Sequence, residues 1–260
     1  MNTMGRRGVV WKTPDITADG LKMFACVITL IYTVGVTIVE RGMIHLDQYE
    51  TQDALSQAMA EDGNLMMLSG VGSVMQLLGG LALPILAFLL VEGFRNTSSY
   101  KRYLLNMAVF ALISEIPYDL AASGKLIDWS SQNALVTMTL CLIMLYCLKV
   151  VEEKKGFIGG VIKGAIVLAA VLWAALIRAE FGLCMVLLVA DLYLFYTKNV
   201  LKTILGVIIS LLYVTGPLAF YGIWCYTGER KDKLPKYAYY AFYPAHLLIL
   251  GLIAKFALGA

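Results

Sequence analysis

Charged residues are scarce in this sequence. Asp, Glu, Lys and Arg make up 15% of its 260 residues, whereas hydrophobic residues make up 60%. A soluble domain carries charge on about a quarter of its residues. Here the charges fall in short clusters between long apolar runs, which is typical of a chain that faces lipid. The sequence therefore excludes an ordinary soluble protein. Its net charge of +3 is spread over the loops, so no nucleic-acid partner is expected.

The common signatures of soluble catalytic and metal sites are also absent. The sequence contains no GxSxG, HExxH, Walker or GxGxxG arrangement, and its five cysteines form no CxxC pair. All five lie in or beside apolar runs, so we expect buried free thiols and no metal site. The first 20 residues lack the apolar region and the cleavage site of a secretory signal peptide. The first apolar segment is therefore expected to stay in the mature protein.

The long apolar runs predict an all-α, polytopic integral membrane protein. A helix of about 20 residues crosses the hydrocarbon core of a bilayer. On this measure eight helices are predicted, near residues 21–39, 67–91, 103–122, 133–150, 157–177, 181–197, 200–224 and 237–256. We expect an N-terminal tail at 1–20, a single transmembrane domain over 21–260 and a longer loop at 40–66.

The distribution of charge predicts the orientation in a bacterial-type inner membrane. Basic residues flank the first helix and the loop 40–66 is acidic, so the positive-inside rule places the N-terminus in the cytoplasm. The rule holds through six helices and then fails at the basic segment 225–236. Either Gly216-Pro217 breaks the seventh run into two half-helices that return the chain to the cytoplasm, or the rule is violated here. The count is therefore eight or nine helices.

Ionisable residues at membrane depth are candidate functional residues because they are costly in lipid. Glu92 and Arg95 end the second predicted helix and, three residues apart, share one face. One interpretation is an interfacial ion pair. The other is a cationic mouth, shared with Lys101 and Arg102, that receives a phosphorylated cofactor.

A second polar group is Glu115 and Asp119, four residues apart on either side of Pro117. The two carboxylates share a face if the helix continues, but proline favours a kink or an end. They are candidates for proton transfer, or for polar contacts that stabilise a break. A third group, Arg178-Ala179-Glu180, lies between two predicted helices and is interpreted as an interfacial turn.

His246 is the histidine that the sequence places at membrane depth. Its polar ring needs a partner, so a packing role and a functional role are both open. His45 lies in the acidic loop and is expected to be solvated.

Four stretches of the sequence form a distinctive pattern. The clearest covers 83–121 and reads LPILAFLLVEGFRNTSSYKRYLLNMAVFALISEIPYDLA. The others are SQNALVTM at 131–138, Glu180-Phe181-Gly182 and the closing stretch from 236 that contains His246. Together they resemble the TraX family of conjugal-transfer membrane proteins, which usually shows Asp-Tyr-Gly at 180–182. In family order these matches span about residues 21–253.

The resemblance implies a membrane acetyltransferase. The family's namesake acetylates the N-terminus of pilin, and the family is similar to a wider group of membrane acyltransferases. Acetyl-CoA from the cytoplasm would then be the co-substrate, and pilin or an envelope glycan or lipid the acceptor. The resemblance also implies that Arg95, Lys101 and Arg102, beside Glu92, meet the CoA phosphates, and that His246 lines the reaction channel.

The sequence departs from the family pattern in its first two helices. Tyr32 and Thr33 stand where the family usually has Asp-His, and Gly79-Gly80 where it has Gly-Arg. Threonine cannot act as a general base near neutral pH. Three hypotheses follow: an acyltransferase with a base relocated to His246 or Glu115, a degenerate member that binds or transports a ligand, or a structural subunit of the envelope.

Overall fold

The computed structural model describes residues 15–229 and 235–259, and its regular elements are helices. Over these residues the α-helices are α1 (Ala18–Thr33), α2 (Gln52–Glu61), α3 (Gly63–Gly79), α4 (Ala82–Asn96), α5 (Tyr100–Ser123), α6 (Ala134–Val150), α7 (Gly156–Leu176), α8 (Gly182–Leu194), α9 (Asn199–Ser210), α10 (Ala219–Trp224) and α11 (Lys236–Ala257). A π-helix over Val34–Ile44 continues α1. Two isolated β-bridges join Ile16 to Tyr226 and Gln132 to Ala179.

Five helical segments of the described chain are long and apolar enough to cross a membrane. They are Ala18–Ile44, Gly63–Asn96, Tyr100–Ser123, Gly156–Leu176 and Tyr237–Ala257, with shorter apolar helices at Ala134–Val150, Gly182–Leu194 and Asn199–Tyr213. Large apolar side chains on their outer surfaces are exposed, such as Leu112 (76%) and Phe157 (87%). Such surfaces are suited to lipid rather than to water. The prediction of an all-α, multi-pass membrane protein is confirmed.

The core of the bundle lies between α4, α6 and α8. Its fully buried side chains include Ile85, Leu90, Leu142, Leu145, Met185, Leu188 and Leu192. α8 packs against α4, α6, α7 and α9, so it is the central helix. α5 and α11 pack along each other on one side of this core.

The first two membrane segments differ from the prediction. The first continues to Ile44 instead of ending near residue 39, and the second divides into α3 and α4 at Gly79-Gly80. A Cβ on Gly79 would lie 2.5 Å from the Tyr32 ring, and one on Gly80 would lie 2.7 Å from Thr215 Oγ1. The two glycines therefore admit close neighbours that the sequence alone does not reveal. Between the two segments, α2 occupies much of the acidic loop.

The seventh predicted helix is not continuous. α9 ends at Ser210, and short 3₁₀ turns at Leu211–Tyr213 and Gly216–Leu218 lead into α10. α10 then runs back along α9, since Trp224 Nε1 donates to Thr203 Oγ1 at 3.1 Å. The break covers residues 211–218, and Pro217, which has no N–H to continue a regular helix, lies at the start of the 3₁₀ turn that leads into α10. The structure agrees with the interpretation of two half-helices.

The chain after α10 returns to the face at which α1 begins, which we call the N-face; the opposite one is the distal face. Ile16 N donates to Cys225 O (2.9 Å), Thr227 N to Ile16 O (3.0 Å) and Ala18 N to Glu229 O (2.9 Å). α11 therefore also starts at the N-face. With this return, the basic segment 225–236 leaves α10 at the same face as the N-terminus, so it no longer departs from the positive-inside rule. Arg230, Lys231 and Lys233 themselves lie outside the described residues.

The side chains of Arg41 and Lys255 donate hydrogen bonds to the distal end of α5. Arg41 Nη1 donates to Leu120 O (2.6 Å) and Ala121 O (2.8 Å), and Lys255 Nζ donates to Gly124 O (2.9 Å). These carbonyls end α5, where the helix dipole favours positive charge. The contacts fix α5 against the first segment and α11.

The cysteines are free thiols, as expected. Cys141, Cys184 and Cys225 are buried and Cys26 is half-buried. Cys147 is exposed, which corrects the prediction that all five are buried. It lies on α6, where an apolar outer surface suits a small hydrophobic residue.

Candidate active site

A cavity of about 840 Å³ lies between the helices. Its N-face end is lined by Asp19, Lys22, Asn96 and Tyr239, and its inner end by polar and aromatic residues that include Tyr32, Thr33, Tyr118, Glu180 and Tyr243. The volume is in the range of small-molecule sites, which are typically about 300–1,000 Å³. The cavity is therefore the candidate site of function.

Glu180 occupies the inner end because the turn between α7 and α8 is tied to the start of α6. Glu180 N donates to Gln132 O (2.8 Å), Gln132 N donates to Arg178 O (3.1 Å), and Thr137 Oγ1 donates to Glu180 O (2.6 Å). Arg178 is exposed, as an interfacial turn predicts. Glu180 lines the cavity instead, so the interfacial interpretation does not apply to it.

The carboxylate of Glu180 has hydrogen-bond donors beside it. Tyr243 Oη lies 3.5 Å from Glu180 Oε2, and Ala134 N donates to that same hydroxyl at 3.3 Å. Ala134 begins α6, so the N-terminal end of this helix meets the inner end of the cavity. The positive end of a helix dipole favours negative charge there.

The turn that holds Glu180 is strained. Arg178 (φ 52°) and Phe181 (φ 57°) are non-glycine residues in the left-handed region. Such residues cost of the order of 1 kcal/mol each and are concentrated at functional sites. The strain supports a functional role for the side chain that the turn presents.

Aromatic rings surround this end of the cavity. Tyr32 packs edge-on against Phe181 (5.8 Å between ring centroids), and Phe181 against Tyr213 (5.5 Å). Tyr118 Oη lies 3.0 Å from Ser131 Oγ. The rings shield the carboxylate of Glu180 from lipid, while their hydroxyl groups keep the wall partly polar.

His246 reaches the cavity through Thr33. His246 is buried, with Nδ1 2.8 Å from Phe242 O and Nε2 3.2 Å from Thr33 Oγ1. A carbonyl only accepts, so Nδ1 carries a hydrogen and, in the neutral ring, Nε2 is an acceptor. Thr33 Oγ1 is also 2.9 Å from Thr29 O, so its one hydrogen has two possible acceptors. A histidine from α11 thus contacts the position where the TraX family usually has one in its first helix.

Glu115 and Asp119 share one face of α5, which continues through Pro117 without ending. Asn133 Nδ2 donates to Glu115 Oε2, and Asp128 N donates to Asp119 Oδ2 at 2.8 Å. Neither carboxylate lines the cavity. They hold the connection between α5 and α6, while Glu115 Oε1 is buried without a hydrogen-bond partner among the described residues.

The predicted cofactor-binding residues lie at the N-face but do not converge on the cavity. Of Glu92, Arg95, Lys101 and Arg102, only Glu92 lines it. Tyr196 Oη donates to Glu92 Oε1 at 2.7 Å, and Arg95 lies over the same tyrosine ring, 3.9 Å from its centroid. In this described part of the chain the predicted Glu92–Arg95 ion pair is not formed, because Tyr196 contacts both side chains. Lys101 and Arg102 are exposed on α5.

The structure therefore brings Glu180 and, through Thr33, His246 to the same cavity, and keeps Glu115, Asp119 and Arg95 outside its wall. Glu180 was not among the candidate catalytic residues of the sequence. A signal was present, because Glu180-Phe181-Gly182 is one of the elements that carry the family resemblance. The polar sequence at 178–180 did not indicate that Glu180 lies at the inner end of a cavity.

Fold and cavity together define a class: a multi-pass, all-α membrane protein with a polar site enclosed between its helices. A family model described as TraX protein matches residues 21–254. The chain belongs to the TraX family, which confirms the resemblance seen in the sequence. Comparison with curated proteins and with solved structures found no significant match.

Proposed function

We propose that this TraX-family protein is a membrane-embedded acyltransferase. It takes an acyl group, acetyl in the simplest case, from acyl-CoA at the N-face and transfers it to an amine or hydroxyl group inside the cavity. The observation that carries the proposal is Glu180, a carboxylate held at the inner end of a cavity whose other end lies at the N-face.

The N-face is cytoplasmic in this proposal, in a bacterial-type inner membrane. At this face Lys149 lies in the last turn of α6, Lys154 and Lys155 follow that helix and Lys198 precedes α9, whereas the connection around α2 at the distal face is acidic. Basic residues are enriched in cytoplasmic loops. Cytosolic acyl-CoA would therefore meet the N-face end of the cavity.

The lining residues fit an acyl-CoA co-substrate, whose thioester supplies an activated acyl group when bound. The cavity has the volume of a small-molecule site, and Lys22 provides a cation at its N-face end. Along α1 and the π-helix that continues it, the lining runs from Ala18 to Thr37, and on α5 it reaches Ala122 near the distal end. An acceptor in the membrane or beyond it would approach from that side.

Glu180 is the proposed general base. It removes the proton of the acceptor amine or hydroxyl and returns that proton to the departing sulfur, so no net proton is gained or lost by the protein. A general base typically contributes about 10²- to 10⁴-fold. Tyr243 Oη donates to Glu180 Oε2, and Ala134 N donates to Tyr243 Oη, so these hydrogen bonds hold the carboxylate in its orientation.

Thr33 and His246 are proposed to assist at the same end. When Thr33 donates its hydroxyl hydrogen to His246 Nε2 and not to Thr29 O, the hydroxyl oxygen can in turn accept a hydrogen bond from the acceptor group. His246 then positions and polarises Thr33 and does not itself touch the acceptor.

The proposal is tested with purified full-length protein in lipid nanodiscs and acetyl-labelled acetyl-CoA. Total membrane extract supplies the acceptors, and label is then measured separately in peptide, glycan and lipid fractions. We expect label in one fraction, dependent on the protein. Binding of CoA without transfer to any fraction would favour a second function, ligand binding or transport, to which the loss of the family's Asp-His pair at Tyr32 and Thr33 lends support. Neither binding nor transfer would favour a structural role in the envelope.

A further inference from the structure

Lys22 stands at the N-face end of the cavity. Among the described residues that line the cavity, it is the one with a positively charged side chain. Its Nζ lies 3.5 Å from Asp19 Oδ1 and 5.1 Å from the centroid of the Tyr239 ring. Asp19 is buried, whereas the Lys22 side chain is 33% exposed. The ammonium group is therefore held against the wall of the cavity while it stays accessible.

Tyr239 presents a hydroxyl group at the same place. This oxygen is buried, and the described structure gives it no hydrogen-bond partner. A buried hydroxyl without a hydrogen-bond partner is unfavourable, and a bound ligand or water can supply that partner. Because Tyr239 lines the cavity, a ligand that enters there can supply the partner.

Tyr239 also belongs to the first turn of α11, a helix of 22 residues whose start has no side-chain cap. Pro235, the residue before the helix, lines the same end of the cavity. The free N–H groups and the helix dipole make such a terminus favourable for an anion. An ammonium group, an unpartnered hydroxyl and a helix N-terminus therefore meet at one point.

From this arrangement we propose that Lys22, Tyr239 and the first turn of α11 bind a phosphate group of a ligand whose remainder enters the cavity. The combination of charged and neutral donors is the chemistry that recognises phosphate oxygens. The assignment rests on the proposed function, in which the ligand is acyl-CoA and the group is its diphosphate. A phospholipid headgroup offers the same chemistry from a different source.

Two carboxylates lie near this phosphate site and already have donors. Asp19 contacts Lys22, and Glu92 accepts from Tyr196 Oη and Asn96 Nδ2. The site differs from the sequence expectation, in which Arg95, Lys101 and Arg102 meet the CoA phosphates. Those three cations lie outside the wall of the cavity.

The test compares CoA with pantetheine, which lacks the phosphates, on full-length protein in nanodiscs. Lys22→Gln should raise the Kd for CoA about tenfold or more and change that for pantetheine less than about twofold. Tyr239→Phe should act in the same direction with a smaller effect, and Lys22→Arg should restore most of the affinity. Lys155→Gln, an exposed cation at the same face, is the matched control and should bind like the wild type.

Three results would overturn the site. One is a Lys22→Gln variant whose Kd rises equally for CoA and for pantetheine, which indicates a structural effect. Another is selective loss of CoA binding in Arg95→Gln but not in Lys22→Gln. The third is a wild type that binds neither CoA nor phosphatidylglycerol. If CoA does not bind but phosphatidylglycerol does, and Lys22→Gln weakens it, the phosphate site stands with a lipid as its ligand and the acyl-CoA function fails.

Discussion

At the scale of single residues, the inner end of the cavity receives polar side chains from parts of the chain that are distant in sequence. Tyr32 and Thr33 stand where the TraX family usually has Asp-His, and neither supplies a base. Glu180 comes from the turn before α8, and His246 comes from α11 to contact Thr33 at 3.2 Å. The polar chemistry of this site therefore depends on three separate segments.

His246 is expected to matter through Thr33. His246→Ala should lower acetyl transfer about tenfold, because it removes the acceptor of the Thr33 hydroxyl but not a group in the cavity wall. Thr33→Val should have a similar effect, and the double variant should be no worse than either single one, since both disrupt one contact. Initial rates of transfer measure this, with thermal unfolding to verify folding. If His246→Ala abolished acetyl transfer while Thr33→Val kept the wild-type rate, His246 would act on the acceptor directly and not through Thr33.

Sequence reasoning found His246 and missed Glu180 for a physical reason. A histidine inside an apolar run is conspicuous because lipid makes it costly. A glutamate in a short polar turn looks solvated, and its burial depends on the backbone pairing of 178–180 with Gln132. That pairing joins residues 46 and 48 positions apart (178 − 132 and 180 − 132), and no local pattern indicates it.

At the scale of elements, apolar runs predicted most helices within a few residues because membrane length and hydropathy are local properties. Gly216-Pro217 also predicted the break between α9 and α10. The division of α3 from α4 was not predicted, because Gly79-Gly80 interrupts no apolar pattern. At this junction Tyr32 and Thr215 lie close to the two glycines, and Thr215 Oγ1 donates to Leu77 O in the last turn of α3. The π-helix at Val34–Ile44 was not predicted either.

The α3–α4 junction gives a matched pair of variants. A Cβ on Gly80 would lie 2.7 Å from Thr215 Oγ1 and 2.8 Å from Tyr213 O, whereas one on Gly70 meets no atom within 4 Å. Gly80→Ala should therefore destabilise the protein by about 1–3 kcal/mol through overpacking. Gly70→Ala should be neutral or slightly stabilising, as expected for alanine in a helix. Thermal unfolding in detergent compares the two, and equal melting temperatures would contradict the close packing at Gly80.

At the scale of the whole molecule, the return of the chain after α10 sets the orientation of the final helix. Ile16 pairs with the backbone at 225–227, so the start of α1 and the end of α10 share the N-face. The acidic connection around α2 lies at the other face. Glu180 and the contact of Thr33 with His246 lie between the two faces, where a cytoplasmic donor and an acceptor from the other side can meet.

This topology predicts the labelling of single cysteines in cells. Glu61→Cys, near the end of α2, should react with a membrane-impermeant maleimide in intact cells. Glu229→Cys should react only after the membrane is permeabilised, because it lies at the N-face. Both positions are exposed, and replacing Cys147 with serine lowers the background. Labelling of both positions in intact cells would contradict the return of the chain through α10.

The central claim is that Glu180 is the base of an acyl transfer inside the membrane. The most direct measurement is the single-turnover rate of acetyl transfer from labelled acetyl-CoA by the wild type, Glu180→Gln and the matched control Glu152→Gln, an exposed residue at the N-face. Glu180→Gln keeps the shape of the side chain and removes its basicity, so the rate should fall about 100-fold or more while CoA binding is unchanged. Glu152→Gln should match the wild type. A Glu180→Gln protein that transfers acetyl groups at the wild-type rate would contradict the account.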